Sequence, residues 1–430
     1  MSIFTEIESN VRSYCRSFPT VFSSASGATL LDECGKTYID FLSGAGTLNY
    51  GHNNLPIKRR LIDYIESDGI VHGLDMATEA KREFLETLDR CILQPRRLSY
   101  KVQFTGPTGA NAVEASLKIA RKVTGRPTVV AFTNAFHGVT LGAVAATAGS
   151  YYRDAAGLPV LGSSFVPYDG YFGSDVDTTE YLERLLTDQS SGLDHPAAVI
   201  VETVQGEGGV NVASVEWLRS LERVCRAHAI LLIVDDIQAG CGRTGTFFSF
   251  EQAGIRPDII TLSKSLSGYG LPFSVVLMRP ELDHWSPGEH NGTFRGHNLA
   301  FVTAKAALDE YWQDDEFSQV VECKGKLLAS ELQDMVDGCA PGQLSVRGRG
   351  MIQGIDCVNG ELASLTCKHA FDRGLVIETS GSEGQVIKCL SPLTISEPEL
   401  QEGLGILRSS LKTAWQASLG LVPEPAGVGT

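Results

Sequence analysis

The chain has 430 residues, 43% of them hydrophobic and 20% charged, with 45 glycines. This is the balance of a globular protein, and the length exceeds what one hydrophobic core organises, so a large domain with a smaller companion is expected. A formal net charge of −15 argues against a nucleic-acid surface or an anionic membrane as the partner.

The opening segment, MSIFTEIESNVRSYCRSF, lacks the basic region and apolar core of a signal peptide. No apolar run is long enough to span a bilayer, and a cytoplasmic location is expected. Residues 1–50 read as an N-terminal part of the small domain, with a hairpin in GATLLDECGKTYIDF turning at Glu33 to Gly35. Residues 51–316 alternate helices with buried strands. The strand candidates are Val102–Phe104, Thr128–Phe132, Ala198–Glu202, Ile230–Asp235, Asp258–Leu262 and Phe273–Met278, and helices fit Thr108–Val123, Val215–Ala229 and Leu299–Trp312. Such alternation predicts an α/β domain with a mostly parallel sheet covered on both faces. Residues 317–430 begin with a long amphipathic helix and continue with short strands near Ser345–Asp356 and Gln385–Leu390, an α+β ending that suits a smaller domain closing over a pocket. The last ten residues, LVPEPAGVGT, are expected to fray. The ten cysteines, Cys15 to Cys389, form no CxxC pair and stand beside no histidine cluster, so reduced thiols are expected and no metal site. Cys241 follows a strand closely and reads as a small packing residue.

Two segments carry the chemistry. In ILLIVDDIQAGCGRTG an apolar run ends on Asp235 and Asp236, and in DIITLSKSLSGYGLP a second run ends on Ser263 and Lys264. Both runs read as buried parallel strands, and ligands of open α/β sheets sit beyond the carboxyl ends of the strands. An acid and a lysine would converge there, which suits pyridoxal 5′-phosphate: Lys264 as the Schiff-base amine, Asp235 as partner of the pyridine nitrogen.

Other strand ends add to the pocket. The turn before Gly109 and Ala110 can aim amides at a phosphate, although taken alone a plain connecting loop is the commoner outcome. Phe136 could stack on a cofactor ring or belong to the core. Glu202 and Glu207 follow another strand, where an acid is either functional or solvated. His137 could act as a base, but a loop histidine held by a hydrogen bond is the commoner outcome. Lys264 alone would be read as a surface lysine; its glycine-rich surroundings, which allow close backbone approach, raise it above that. The glycine-rich run Gly348 to Gly354 has the wrong spacing for a dinucleotide-binding turn.

Taken together, these segments resemble the class III aminotransferases of pyridoxal-phosphate fold type I, from about Ser13 to Ile395. The resemblance rests on NYGH at Asn49 to His52, TGA at Thr108, EASLKIAR at Glu114 to Arg121, FHG at Phe136, ETVQGE at Glu202, DDIQ at Asp235, RTG at Arg243, SK at Ser263 and TFRG at Thr293. It implies that Gln238 contacts the ring hydroxyl, that His137 and Glu202 lie at the cofactor, that Gly109 and Ala110 hold the phosphate, and that Thr293 holds it from a neighbouring subunit, hence a homodimer with shared sites. It also implies that Glu207 pairs with a carboxylate-binding arginine. Here the chain departs from the pattern: Lys388 stands in that arginine's place, and Val139 replaces the arginine that often follows the aromatic-x-Gly segment. Lys388, Arg295 and Arg16 are therefore the candidates for holding substrate carboxylates.

Longer phrases, VRSYCRSFP from Val11, LNYGHNN from Leu48, GLDMATEA from Gly73, QFTGPTG from Gln103 and EHNGTFRG from Glu289, resemble the diaminobutyrate-forming branch of that family. That implies transfer of an amino group from L-glutamate to L-aspartate 4-semialdehyde, yielding L-2,4-diaminobutyrate and 2-oxoglutarate at the start of ectoine synthesis. Aminotransferases acting on 4-aminobutyrate or ornithine, or one forming diaminobutyrate for another natural product, are the alternatives, together with a non-catalytic binding protein that keeps the fold; intact Asp235 and Lys264 speak against the last.

Overall fold

The protein was analysed as a computed structural model that describes residues 3–157 and 162–420. The terminal LVPEPAGVGT lies outside the described residues. Its centre is a seven-stranded sheet in the order Lys101–Phe104, Val275–Met278, Ile259–Leu262, Leu231–Asp235, Ala198–Val201, Val129–Phe132, Ser163–Val166. Val275–Met278 runs antiparallel to both of its neighbours, and the remaining pairs are parallel. Four of the five inner strands are buried at every position and Leu231–Asp235 at all but its first, which is why they read as unbroken apolar runs rather than alternating ones.

Alternate side chains of these strands enter different cores, as a pleat of period two requires. Leu232 and Val234 join a cluster with Phe84, Trp217 and Phe301. Ile233 joins another, with Val113, Leu117 and Ile119. The first face is covered by helices Glu79–Leu88, Val215–Ala227 and Asn298–Tyr311, and the second by Gly109–Thr124. Each fully buried leucine, isoleucine or phenylalanine contributes ~1.5–3 kcal/mol.

The two ends of the chain share a third core. Ile39 and Phe41 pack with Leu328 and Leu332 of helix Glu316–Cys339, with Ile355 and Ile387, and with Leu404 and Leu407 of helix Glu397–Ser418. The predicted hairpin forms Thr29–Asp32 and Thr37–Asp40; it is extended by Phe22–Ser26 on one side and by Leu375–Val376 on the other. A second four-stranded sheet contains Ser345–Arg349, Ile352–Asp356, Val386–Cys389 and Glu378–Ser380. Gly348 to Gly354 thus lies in an antiparallel hairpin, and the next helix, Gly360–Asp372, begins only after its second strand. Arg243, fully buried, ties the parts together: its guanidinium donates to Asn49 Oδ1, to Met351 O at 3.1 Å and to Ser391 O at 2.6 Å.

The helix expected over Val215–Ala229 stops at Ala227, because Ala229 is left-handed (φ 48°) and Ile230 N folds back onto Cys225 O. Strand starts fall one or two residues later than expected, at Val129, Leu231, Ile259 and Val275.

Candidate active site

Asp235 closes its strand in register with Thr261 on the next. Its carboxylate is buried. Oδ1 accepts from Thr261 Oγ1 at 3.1 Å and from Ile237 N at 3.2 Å, and Oδ2 lies 2.7 Å from His137 Nδ1. Lys264 follows Ile259–Leu262 in a left-handed conformation (φ 47°), and its Nζ donates to Ala45 O at 2.8 Å. Burial lowers its pKa from the ordinary lysine value and so favours the uncharged, nucleophilic amine.

Both side chains line a cavity of about 180 Å³. Gly109, Ala110, Phe136, His137, Glu202, Glu207 and Gln238, all expected at the site, line it too. At one end helix Gly109–Thr124 begins. The amides of its first turn have no intrahelical acceptor, and with the helix dipole they make an anion site. Gly138 lets the FHG loop close on that turn: it has φ 118°, and a Cβ there would stand 2.8 Å from Ala110 Cβ. Asn111 Oδ1 holds the turn by accepting from Thr108 N and Thr108 Oγ1.

The acids divide by environment. Burial pushes Glu202 up to about 8, and its Oε1 accepts from Phe136 N at 2.9 Å. Asp236, one residue beyond Asp235, faces away and accepts from Ser249 N; burial pushes it up to about 7. His137 is raised, because the bond to Asp235 outweighs the burial that would lower it. Burial alone would raise Glu207 as well, but the nearby charges of Lys388 and Lys264 hold it at about 2.

Lys388 lies on Val386–Cys389 with no solvent exposure, 2.8 Å from Glu207 Oε1 and 3.0 Å from Glu378 Oε1. The two carboxylates outweigh burial and raise its pKa. It is therefore a doubly paired core lysine that does not line the cavity. Gln238 Nε2 donates to Ala45 O and Glu207 Oε1, while its Oε1 is buried with no hydrogen-bond partner among the described residues.

The other expected residues lie outside this cavity. Thr293 is exposed at the start of the short turn Thr293–Gly296. Arg295 binds His290 O and Asn291 Oδ1 and pairs with Asp75. Arg16 is exposed, its guanidinium donating to Asn10 O and Arg12 O. Cys241 is buried in the core, and its carbonyl accepts from Asn49 Nδ2. Sequence reasoning missed Ala45 and Glu378. No motif marks Ala45; for Glu378 the signal was indirect, since a lysine in the apolar strand VIKC requires a buried acid.

A lysine and an acid at adjacent strand ends, with an anion-binding helix start across the cavity, define an aminotransferase-type site. The chain belongs to the class-III aminotransferase family, which matches residues 12–411 and whose cofactor is pyridoxal 5′-phosphate. It is 60% identical to the diaminobutyrate–2-oxoglutarate transaminase of Bordetella parapertussis over 415 residues, 96% of this chain and 95% of that one. It is 59% identical to the protein of that name from Halomonas elongata, covering 96% and 99%. Among solved structures, the ornithine aminotransferase of Toxoplasma gondii superposes with a TM-score of 0.82 at 26% identity, over 96% of this chain and 93% of that one. No helix among the described residues is long and apolar enough to cross a membrane. The residues present fit the cofactor: the orphaned Gln238 Oε1, the paired Asp235 carboxylate and the open first turn at Gly109 are three polar features spaced around one cavity.

Proposed function

We propose that this protein transfers the amino group of L-glutamate to L-aspartate 4-semialdehyde, forming L-2,4-diaminobutyrate and 2-oxoglutarate. The observation that carries the reading is the near-full-length identity of about 60% to diaminobutyrate–2-oxoglutarate transaminases. The Asp235–Lys264 cavity supports it. When bound, pyridoxal 5′-phosphate supplies an electron sink and stores the amino group between the two half-reactions.

The chain's own groups do the rest. Lys264 would hold the cofactor through its amine and, being desolvated, would serve as the base at the reacting carbon. Asp235, oriented by His137 and Thr261, would be the partner of the ring nitrogen. Gln238, Phe136 and the Gly109 and Ala110 amides, which line the same cavity, would hold the ring hydroxyl, one ring face and the phosphate. Glu202, protonated near neutral pH by burial, adds no second charge beside Asp235. Residues 51–316 form the cofactor-binding domain, and residues 1–50 with 317–430 form the small domain.

The working form is a homodimer in which Thr293 reaches the phosphate of the other subunit, in the cytoplasm. Phe294, Leu74 and Met76 are 61%, 47% and 59% exposed, and their two segments meet where Phe294 packs on His72 and Gly73 N bonds Gly296 O; such apolar side chains suit burial against a second copy. Sedimentation of Phe294→Asp should show monomers and weakened cofactor retention; an unchanged dimer removes this patch from the interface.

The test of function is direct. Purified protein, pyridoxal phosphate, glutamate and aspartate 4-semialdehyde should yield diaminobutyrate, detected by mass spectrometry. Faster consumption of ornithine or 4-aminobutyrate would overturn the substrate assignment. We place the product at the entry to ectoine synthesis; deletion of the gene should then abolish ectoine accumulation in high salt.

A further inference from the structure

We propose that Arg153 is the cation that takes the distal carboxylate of both amino-acid substrates; the inference rests on the reading just given. A second cavity, of about 570 Å³, adjoins the first and shares Phe136 and Glu207 with it. Its far wall carries Tyr152 and Arg153, from the short helix Ser150–Asp154. Tyr152 reaches back, its ring 5.2 Å from that of Phe136.

Arg153 is unengaged in a way no other nearby cation is. Its guanidinium lies 5.3 Å over the Phe165 ring. Among the described residues it makes no ion pair and no side-chain hydrogen bond, and its Nε is buried without an acceptor. A buried donor left unmade is costly, and stacking on an aromatic face leaves the planar fork free at its edge for a carboxylate. The alternatives are occupied. Lys388 is held by two acids, Lys264 donates to Ala45 O, Arg347 is paired with Asp356, and Arg295 and Arg16 are bound elsewhere.

The substrates fit one distal cation. Glutamate reacts at its α-carbon, and its side-chain carboxylate lies at a fixed number of bonds away. Aspartate 4-semialdehyde reacts at the aldehyde carbon, and its only carboxylate lies the same number of carbon–carbon bonds away. One arginine in the adjoining cavity therefore serves both half-reactions, and Lys388 need not leave its acids. This accounts for a site that has Val139 and Lys388 where arginines were expected.

The probe is glutarate, an unreactive dicarboxylate of glutamate's length, titrated calorimetrically into the cofactor-loaded protein. Arg153→Gln should weaken glutarate at least tenfold and raise KM for glutamate and for aspartate 4-semialdehyde together, with cofactor absorbance unchanged. Arg153→Lys should retain an intermediate affinity, which a purely structural role would not produce. Glutarate affinity within twofold of wild type in both variants overturns the assignment. Failure of the wild type to form diaminobutyrate sinks the functional reading instead, so the two failures are distinguishable.

Discussion

Lys264 Nζ and the carbonyl oxygen of Ala45 lie 2.8 Å apart, and both residues are left-handed, at φ 47° and 56°. Each such residue costs about 1–2 kcal/mol, so the surrounding packing must impose the geometry. Ser265 does part of this: its Oγ donates to Gly46 O and accepts from Asn49 N, binding the 45–49 loop to the lysine turn. The amine is thereby held desolvated at the cavity floor. Lys264→Ala should abolish transamination while the melting temperature stays within a few degrees. Near-native turnover in the purified variant would remove Lys264 from its role.

Asp235→Asn keeps the shape of the carboxylate but not its charge. The pair with His137 becomes neutral, and the ring nitrogen loses its counter-charge. A fall in kcat/KM of about a hundredfold or more is expected, equivalent to ~3 kcal/mol. A rate within a few-fold of wild type would contradict this.

Lys388→Met should be strongly destabilising for a reason unrelated to packing. It strands Glu207 and Glu378, both facing the vacated space. Removing one partner of a buried ion pair costs ~3–5 kcal/mol. Adding Glu378→Gln should restore part of the loss, so the double variant should unfold at higher urea than Lys388→Met alone. Additive losses in that cycle would show that the pair is uncoupled.

Glu202 gives a pH signature. Its folded pKa, about 8, stands above the ordinary 4.5. Its contribution to stability is therefore fully present below about 4.5 and is lost as pH rises through about 8. Glu202→Gln has no such titration. The variant should gain on wild type as pH rises through that window, by up to ~1.4 kcal/mol per pH unit, and the gap should level off above it. Denaturation curves between acid and alkaline pH that stay parallel would refute the assignment.

Much of this was readable before any coordinates. The strands ending at Asp235 and Leu262 are unbroken apolar runs, so their burial and parallel pairing follow from composition, and their ends fix which side chains meet. Ser163–Val166 escaped notice because it is an edge strand, only partly buried along most of its length, with a weak apolar signal. The pairing partners of the site were hidden for another reason. Lys264 meets Ala45 across 219 residues, and Lys388 meets Glu207 across 181. No local period marks such pairs. The substitution of lysine for arginine at 388 was visible, but its consequence was not, because Glu378 sits on a three-residue strand whose sequence carries no motif.

The joining of the two chain ends in one core sets an order of events during synthesis. Asp235 and Lys264 leave the ribosome long before residues 375–390, which supply Glu378 and Lys388. Until that C-terminal stretch follows, Ile39 and Phe41 lack Leu404 and Leu407, Arg243 lacks the Ser391 carbonyl, and Glu207 lacks Lys388. A nascent chain can therefore build the sheet but not the finished pocket. Every residue that lines the Asp235–Lys264 cavity is present by position 264, so a late truncation would take away the partner of Glu207 rather than the cavity wall itself.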